Sequence, residues 1–443
     1  MKGLQQMLRW AGAALVAGGV LRAAAADPRL DLTGRIVGTN GAPIARATVF
    51  IYTASPKQGT SCLCPYCYPD CQKKAQSDAD GRFRIESLDP ALMFRLLVVA
   101  EGRQSELVSK VDPAQGGPTI TLKPWSEAAL KSGLRIKGAV IDERGKPVPG
   151  AVVNPEGVGM GSITRWGGND ALVEPLAVAN ESGRFVLLCK SNVVDTVYAT
   201  VEGRGVAEQW ATLKPGGDYL LRLPDGVALT GQIVRDGRPL EGVSVGATTK
   251  DRTCGVYFNC GAVATGGNGR FLLQNVPPGR EFVVYAMMKS VRGNDALPNK
   301  IITTGASGTV QDLGALEVQP AFTVAGRVVL SDGNPVPPDT RMFLGREAVQ
   351  DSQEVGLDAD GRFAFKGVPA ESVSLSVSIN GYRMSRRNPS LDHLNGQILG
   401  RVTGDLDNLT VLLEPGKWRP GSSDESDGAE AYPVNLPLRS PKL

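Results

Sequence analysis

A chain of 443 residues is longer than one hydrophobic core supports, so several domains are expected. Hydrophobic residues make up 42% and charged residues 21%, the balance of soluble globular domains. The net charge is only +3, and Lys and Arg alternate with Asp and Glu along the chain, so there is no basic stripe for nucleic acid.

Residues 1–26 have the grammar of a signal peptide. Lys2 and Arg9 are positive, residues 10–21 are apolar, and Ala24-Ala25-Ala26 supplies a small-residue cleavage pattern. A short membrane anchor is the alternative, but the apolar stretch is brief and Arg22 follows it directly. No Cys adjoins the cleavage site, and no later apolar run approaches the ~18 residues of a span. The mature protein is therefore expected to be exported (periplasmic, cell-surface or secreted), with no stable membrane span.

From residue 30 onward one pattern recurs four times, at roughly ninety to a hundred residues per unit. A strand carrying Gly opens each unit, at Gly34, Gly138, Gly231 and Gly326. A turn with Gly-x-Pro-apolar follows, at Gly41-Ala42-Pro43-Ile44, Gly145-Lys146-Pro147-Val148, Gly237-Arg238-Pro239-Leu240 and Gly333-Asn334-Pro335-Val336. Glycine supplies the turn, and proline stands at a strand entrance where its missing N–H breaks no ladder. The third mark is a Gly-Arg-Phe hairpin, at Asp80-Gly81-Arg82-Phe83, Ser182-Gly183-Arg184-Phe185, Asn268-Gly269-Arg270-Phe271 and Asp360-Gly361-Arg362-Phe363, with each Phe expected to point inward. An alternating strand comes next, clearest in Val373-Ser374-Leu375-Ser376-Val377-Ser378-Ile379, and a closing strand ends before Pro. No segment keeps a helical period. The expectation is all-β: four tandem antiparallel Ig/transthyretin-like β-sandwiches of about seven strands each. Their bounds are 27–124, 130–224, 227–320 and 321–416, with a tail at 417–443 whose Ser, Gly, Asp, Glu and Pro content predicts disorder.

The Gly-x-Pro-apolar turn followed by Asp-Gly-Arg-Phe resembles the carboxypeptidase regulatory-like domain, a transthyretin-like β-sandwich. The resemblance spans residues 30–416; in the fourth unit Pro337-Pro338-Asp339-Thr340 departs from the usual small-residue step. It implies a fold rather than an activity, since related sandwiches include carbohydrate-binding modules and repeats of bacterial surface proteins. Metallocarboxypeptidases hold zinc with a His-x-x-Glu pair and a further His. Here the single histidine, His393, precedes Leu394-Asn395-Gly396 and serves neither that site nor a Ser-His-Asp triad. No enzyme and no cofactor are expected.

Seven cysteines are the unusual chemistry. Cys62, Cys64, Cys67 and Cys71 lie in an insertion at 55–76, and Cys254 and Cys260 occupy the same slot of the third unit. Export makes all six disulfide candidates, the first four with three pairings open. Closing a Cys254–Cys260 loop would contribute about 2 kcal/mol in the chain-entropy model. Metal binding by the upstream four is the alternative. Cys64-Pro65-Tyr66-Cys67 matches a glutaredoxin motif, but lacks the helix N-terminus that such chemistry needs. Cys189 shares the inward face of Phe185 and Leu187 and is expected to be a buried thiol.

Tyr66, Tyr68, Tyr257 and Phe258 ride on the cysteine loops, and Trp166 on another insertion at 161–168. Such aromatics stack on sugar rings or anchor a partner; alternatively, they cover the end of their own sandwich. The resulting expectation is a non-catalytic extracytoplasmic scaffold, structural, adhesive or protein-binding, whose partner is a cell-envelope protein or a glycan. A carbohydrate-binding protein and a metal-binding cysteine loop are the alternatives.

Overall fold

In every repeat the opening strand pairs antiparallel with the strand that leaves the Gly-Arg-Phe hairpin. The pairs are Leu30–Gly38 with Arg82–Leu88, Arg135–Asp142 with Arg184–Leu188, Val227–Arg235 with Arg270–Val276, and Phe322–Leu330 with Arg362–Val368. The register sets glycine against phenylalanine: Gly34 opposite Phe83, Gly138 opposite Phe185, Gly231 opposite Phe271, Gly326 opposite Phe363. A Cβ on Gly138 would stand 2.7 Å from the Phe185 ring. The ring therefore fills the space a side chain would take, and all four phenylalanines are buried. The hairpin glycines Gly81, Gly183, Gly269 and Gly361 have φ between 71° and 75°, which explains why glycine stands there.

The computed structural model describes residues 29–59, 61, 65, 68–71, 73–127, 133–167, 171–250, 259–392 and 396–416. Over these it is a series of four β-sandwiches. In the first, Arg82–Leu88, Leu30–Gly38 and Thr119–Leu122 form one sheet; Lys74–Gln76, Thr48–Pro56, Leu92–Val99 and Glu106–Val111 form the other. The second sandwich repeats this with Arg184–Leu188, Arg135–Asp142 and Asp218–Leu223 facing Ile163–Trp166, Val152–Met160, Thr196–Gly203 and Val206–Leu213. Each sheet pair encloses its own core, with Phe94 and Ile36 in the first, Phe185 and Cys189 in the second, Phe271 and Phe282 in the third, Phe363 and Phe365 in the fourth.

Two features refine the expectation. The ladders are antiparallel except for one pair per unit: the closing strand runs parallel to the opening one, as Thr119–Leu122 does beside Leu30–Gly38. The chain crosses to the second sheet and back between these strands, giving the long connection that a parallel pair requires. The sandwiches also touch. Phe50 and Leu97 of the first pack against Val152 and Leu176 of the second, and Val283 and Tyr285 of the third against Val349 of the fourth. Ser61 of the first lies 2.5 Å from Glu354 of the fourth, so the series closes on itself. Residues 1–26, His393 and the tail at 417–443 lie outside the described residues.

Candidate functional site

The second sandwich carries an aromatic face on its larger sheet. Strand alternation in Val197-Tyr198-Ala199-Thr200-Val201 turns Val197, Ala199 and Val201 into the core, which leaves Tyr198 and Thr200 on the outer face. Trp210, on Val206–Leu213, stands directly opposite Thr200. Trp166 is expected in an insertion loop but sits on a strand, Ile163–Trp166. This strand returns as a hairpin beside Val152–Met160 through a turn at Gly161, whose φ is 64°.

Gly157 decides where the Trp166 ring goes. It pairs with both Trp166 and Tyr198, one on each side. A Cβ on Gly157 would be 2.5 Å from Trp166 Cε3. The indole therefore lies down over the glycine toward the next strand. Ring centroids are 5.2 Å apart for Trp166 and Tyr198, 5.9 Å for Trp166 and Trp210, and 6.4 Å for Tyr198 and Trp210, with interplanar angles of 25° to 39°. Three rings that are tilted so little present a shared surface, and Trp166 keeps 38% of its area exposed. Among the described residues neither indole N–H nor the Tyr198 hydroxyl has a hydrogen-bond partner.

Carboxyl groups border the rings. Glu156 is the extra residue of a bulge in Val152–Met160, and its Oε1 accepts from Asn154 Nδ2 at 2.7 Å and Thr200 Oγ1 at 3.2 Å. Burial raises its pKa above the ordinary carboxyl value, against those two bonds. Glu208 is two residues from Trp210 on the same strand and so on the same face. Burial first, then the charges of Glu202 and Glu156, push its carboxyl up to about 8. It has no hydrogen-bond partner among the described residues. The face thus offers apolar rings with polar N–H and O–H groups, bordered by the Glu156 and Glu208 carboxyls.

The remaining sequence candidates are distributed differently. Tyr68 is a correction: its ring packs into the first core at 7% exposure, so it covers its own sandwich and offers no stacking surface. Cys71 is partly buried against the same core, with Sγ 3.2 Å from the Pro65 carbonyl. Cys260 is on the strand Asn259–Ala264, opposite Ala247. Cys62, Cys64, Cys67, Cys254, Tyr66, Tyr257 and Phe258 lie outside the described residues. Cys189 is buried at 1% exposure, and burial pushes its thiol up to about 11. Among the described residues no group of three or more His, Cys, Asp and Glu side chains is arranged to hold a metal ion. A cleft of about 820 Å³ separates the first two sandwiches, but Asn180 to Glu101 at 2.9 Å and Arg46 to Glu181 at 3.2 Å span it as a joint. Sequence reasoning missed Tyr198, Trp210, Glu156 and Glu208. Strand alternation could have turned Tyr198 outward, but nothing local pairs it with Trp210.

No family model and no curated protein matches the chain. Among solved structures it is similar to the TIE protein of Bacillus anthracis, with 10% identity over 87% of this chain and 73% of that one, at a TM-score of 0.18. Two B repeat units of the collagen binding protein of Staphylococcus aureus match at 12% identity over 88% of this chain and all of theirs, TM-score 0.17. The minor pilin GBS52 of Streptococcus agalactiae matches at 12% identity over 46% of this chain and all of its own, TM-score 0.22. Scores of this size carry nothing about function. The sandwich architecture rests on the ladders and cores above.

Proposed function

We propose that this chain is a non-catalytic, extracytoplasmic scaffold of carboxypeptidase regulatory-like repeats, divided at 27–124, 130–224, 227–320 and 321–416, whose second sandwich binds carbohydrate. The observation that carries the reading is the Trp166–Tyr198–Trp210 surface, held on strands and flanked by groups able to hydrogen-bond hydroxyls. Sugar rings have an apolar C–H face and a polar rim, and rigid aromatic faces with unsatisfied N–H and O–H groups match both. The charged segment and apolar stretch at 1–26 support export. Among the described residues no helix is long and apolar enough to cross a membrane. The other three sandwiches serve in this reading to hold and space the binding unit.

A glycan array probed with the full chain tests the reading. Wild type is expected to bind a defined set of oligosaccharides, and Trp210→Ala or Trp166→Ala to weaken that binding by about 2 kcal/mol, roughly thirtyfold. Binding that survives both substitutions unchanged, or a wild type that binds no glycan, overturns it.

A further inference from the structure

The acidic border of the platform narrows the kind of sugar that fits. Glu156 accepts from Thr200, the residue that stands opposite Trp210 across the ladder. Glu208 shares the strand and face of Trp210. Its electrostatic neighbours are two further carboxyls, Glu202 and Glu156. Among the described residues, the ion pair that any of the three makes is that of Glu202 with Lys74 of the first sandwich, at 3.7 Å, with both side chains about half exposed. Burial and crowding favour a retained proton on Glu208, and a neutral sugar leaves it so, whereas a cation beside the cluster lets the carboxyl ionise. A ligand carrying a positive charge would meet carboxyl oxygens on one side and the negative faces of Trp and Tyr rings on the other, two attractions that add.

Resting on the reading of this face as a sugar-stacking surface, we infer that its ligand is a cationic amino sugar: the pyranose ring lies on Trp166, Tyr198 and Trp210, and the protonated amine is held by Glu156 and Glu208. The amine would donate to the Glu156 oxygen that Asn154 and Thr200 leave open and to the unpartnered Glu208 carboxyl. The acetylated form of the same sugar keeps the C–H face but loses the charge, so the platform alone would hold it.

The test is calorimetric titration of the full chain with two probes of equal length, a glucosamine oligosaccharide and its fully N-acetylated counterpart. The glucosamine oligomer is expected to bind roughly tenfold or more tightly than the acetylated one. Glu208→Gln should remove that preference, with the larger loss falling on the glucosamine oligomer. Trp210→Ala should weaken binding of both roughly thirtyfold. Equal affinity of wild type for the two oligomers, or a preference that survives Glu208→Gln, overturns the amino-sugar inference and leaves the stacking reading standing. A wild type that binds neither oligomer overturns the inference too. Acetylated binding that persists undiminished in Trp210→Ala removes the stacking reading instead.

Discussion

Glu208 shows how a single side chain reports on a site. A carboxyl on an open strand face keeps its ordinary value near 4.5, whereas this one is pushed up to about 8, first by burial and then by Glu202 and Glu156. The folded protein therefore holds a proton that the unfolded chain would release, and stability must fall as pH rises between those two values. The contribution is fully present below about pH 4.5 and lost by about pH 8. Glu208→Gln removes the titration. It is expected to be near neutral for stability at pH 5 and to stabilise by about 1–2 kcal/mol at pH 9, an amount discounted for solvent screening. Thermal unfolding of both proteins across that range checks it. A difference that shrinks on going alkaline would contradict the burial argument.

At the scale of elements, glycine is as informative as the phenylalanine it faces. The opening-strand glycines are conformationally ordinary, but at Gly34, Gly138 and Gly231 the missing Cβ admits an aromatic ring from the neighbouring strand, while at Gly326 it admits Leu409 of the closing strand. Gly138→Ala would push a methyl to 2.6 Å from the Tyr219 carbonyl and 2.7 Å from the Phe185 ring. A cost of about 1–3 kcal/mol is expected from overpacking, and about 3–5 kcal/mol from Phe185→Ala, which empties the same space. Because the two changes share one site, the double variant should lose less than the sum. Hydrogen exchange on the Arg135–Asp142 and Arg184–Leu188 strands resolves the second sandwich from the other three. Additive losses would mean that glycine and ring do not compete for space. The same device places Trp166, since its ring occupies the volume above Gly157. Both pairings were half legible in the sequence. The Gly-Arg-Phe repeat announced inward rings, while the partner glycine under Trp166 follows only from the hairpin register.

At the scale of the molecule, the joints between sandwiches differ in chemistry. The first meets the second through an apolar seam at Phe50, Leu97, Val152 and Leu176. The third meets the fourth through Arg346, whose side chain is fully buried. It pairs with Asp351 at 3.1 Å and with Glu371, and donates to the Ala286 carbonyl at 2.9 Å and to Asn299 Oδ1 at 2.7 Å. Arg346 thus joins groups from both sandwiches in one network. Arg346→Ala would leave Asp351 and Glu371 without their cation, costing about 3–5 kcal/mol and loosening this joint. Small-angle scattering should record a larger radius of gyration and calorimetry a lower transition for the fourth sandwich. An unchanged scattering profile would show that Arg346 does not hold the joint.

Local chemistry alone determined the four-fold repeat, the sandwich class, the inward phenylalanines and the buried Cys189 thiol. Each follows from strand alternation or from a turn that only certain residues can make, and such rules act over a few neighbouring residues. The burial of Tyr68, the parallel closing strands, the joints and the company of Trp166 were decided by the tertiary structure. Trp166, Tyr198 and Trp210 come from three strands of one sheet, and no short-range rule sets which residues of separate strands stand opposite one another. That register is set by the core as a whole, because slipping one strand by a residue would turn every side chain on it to the other face.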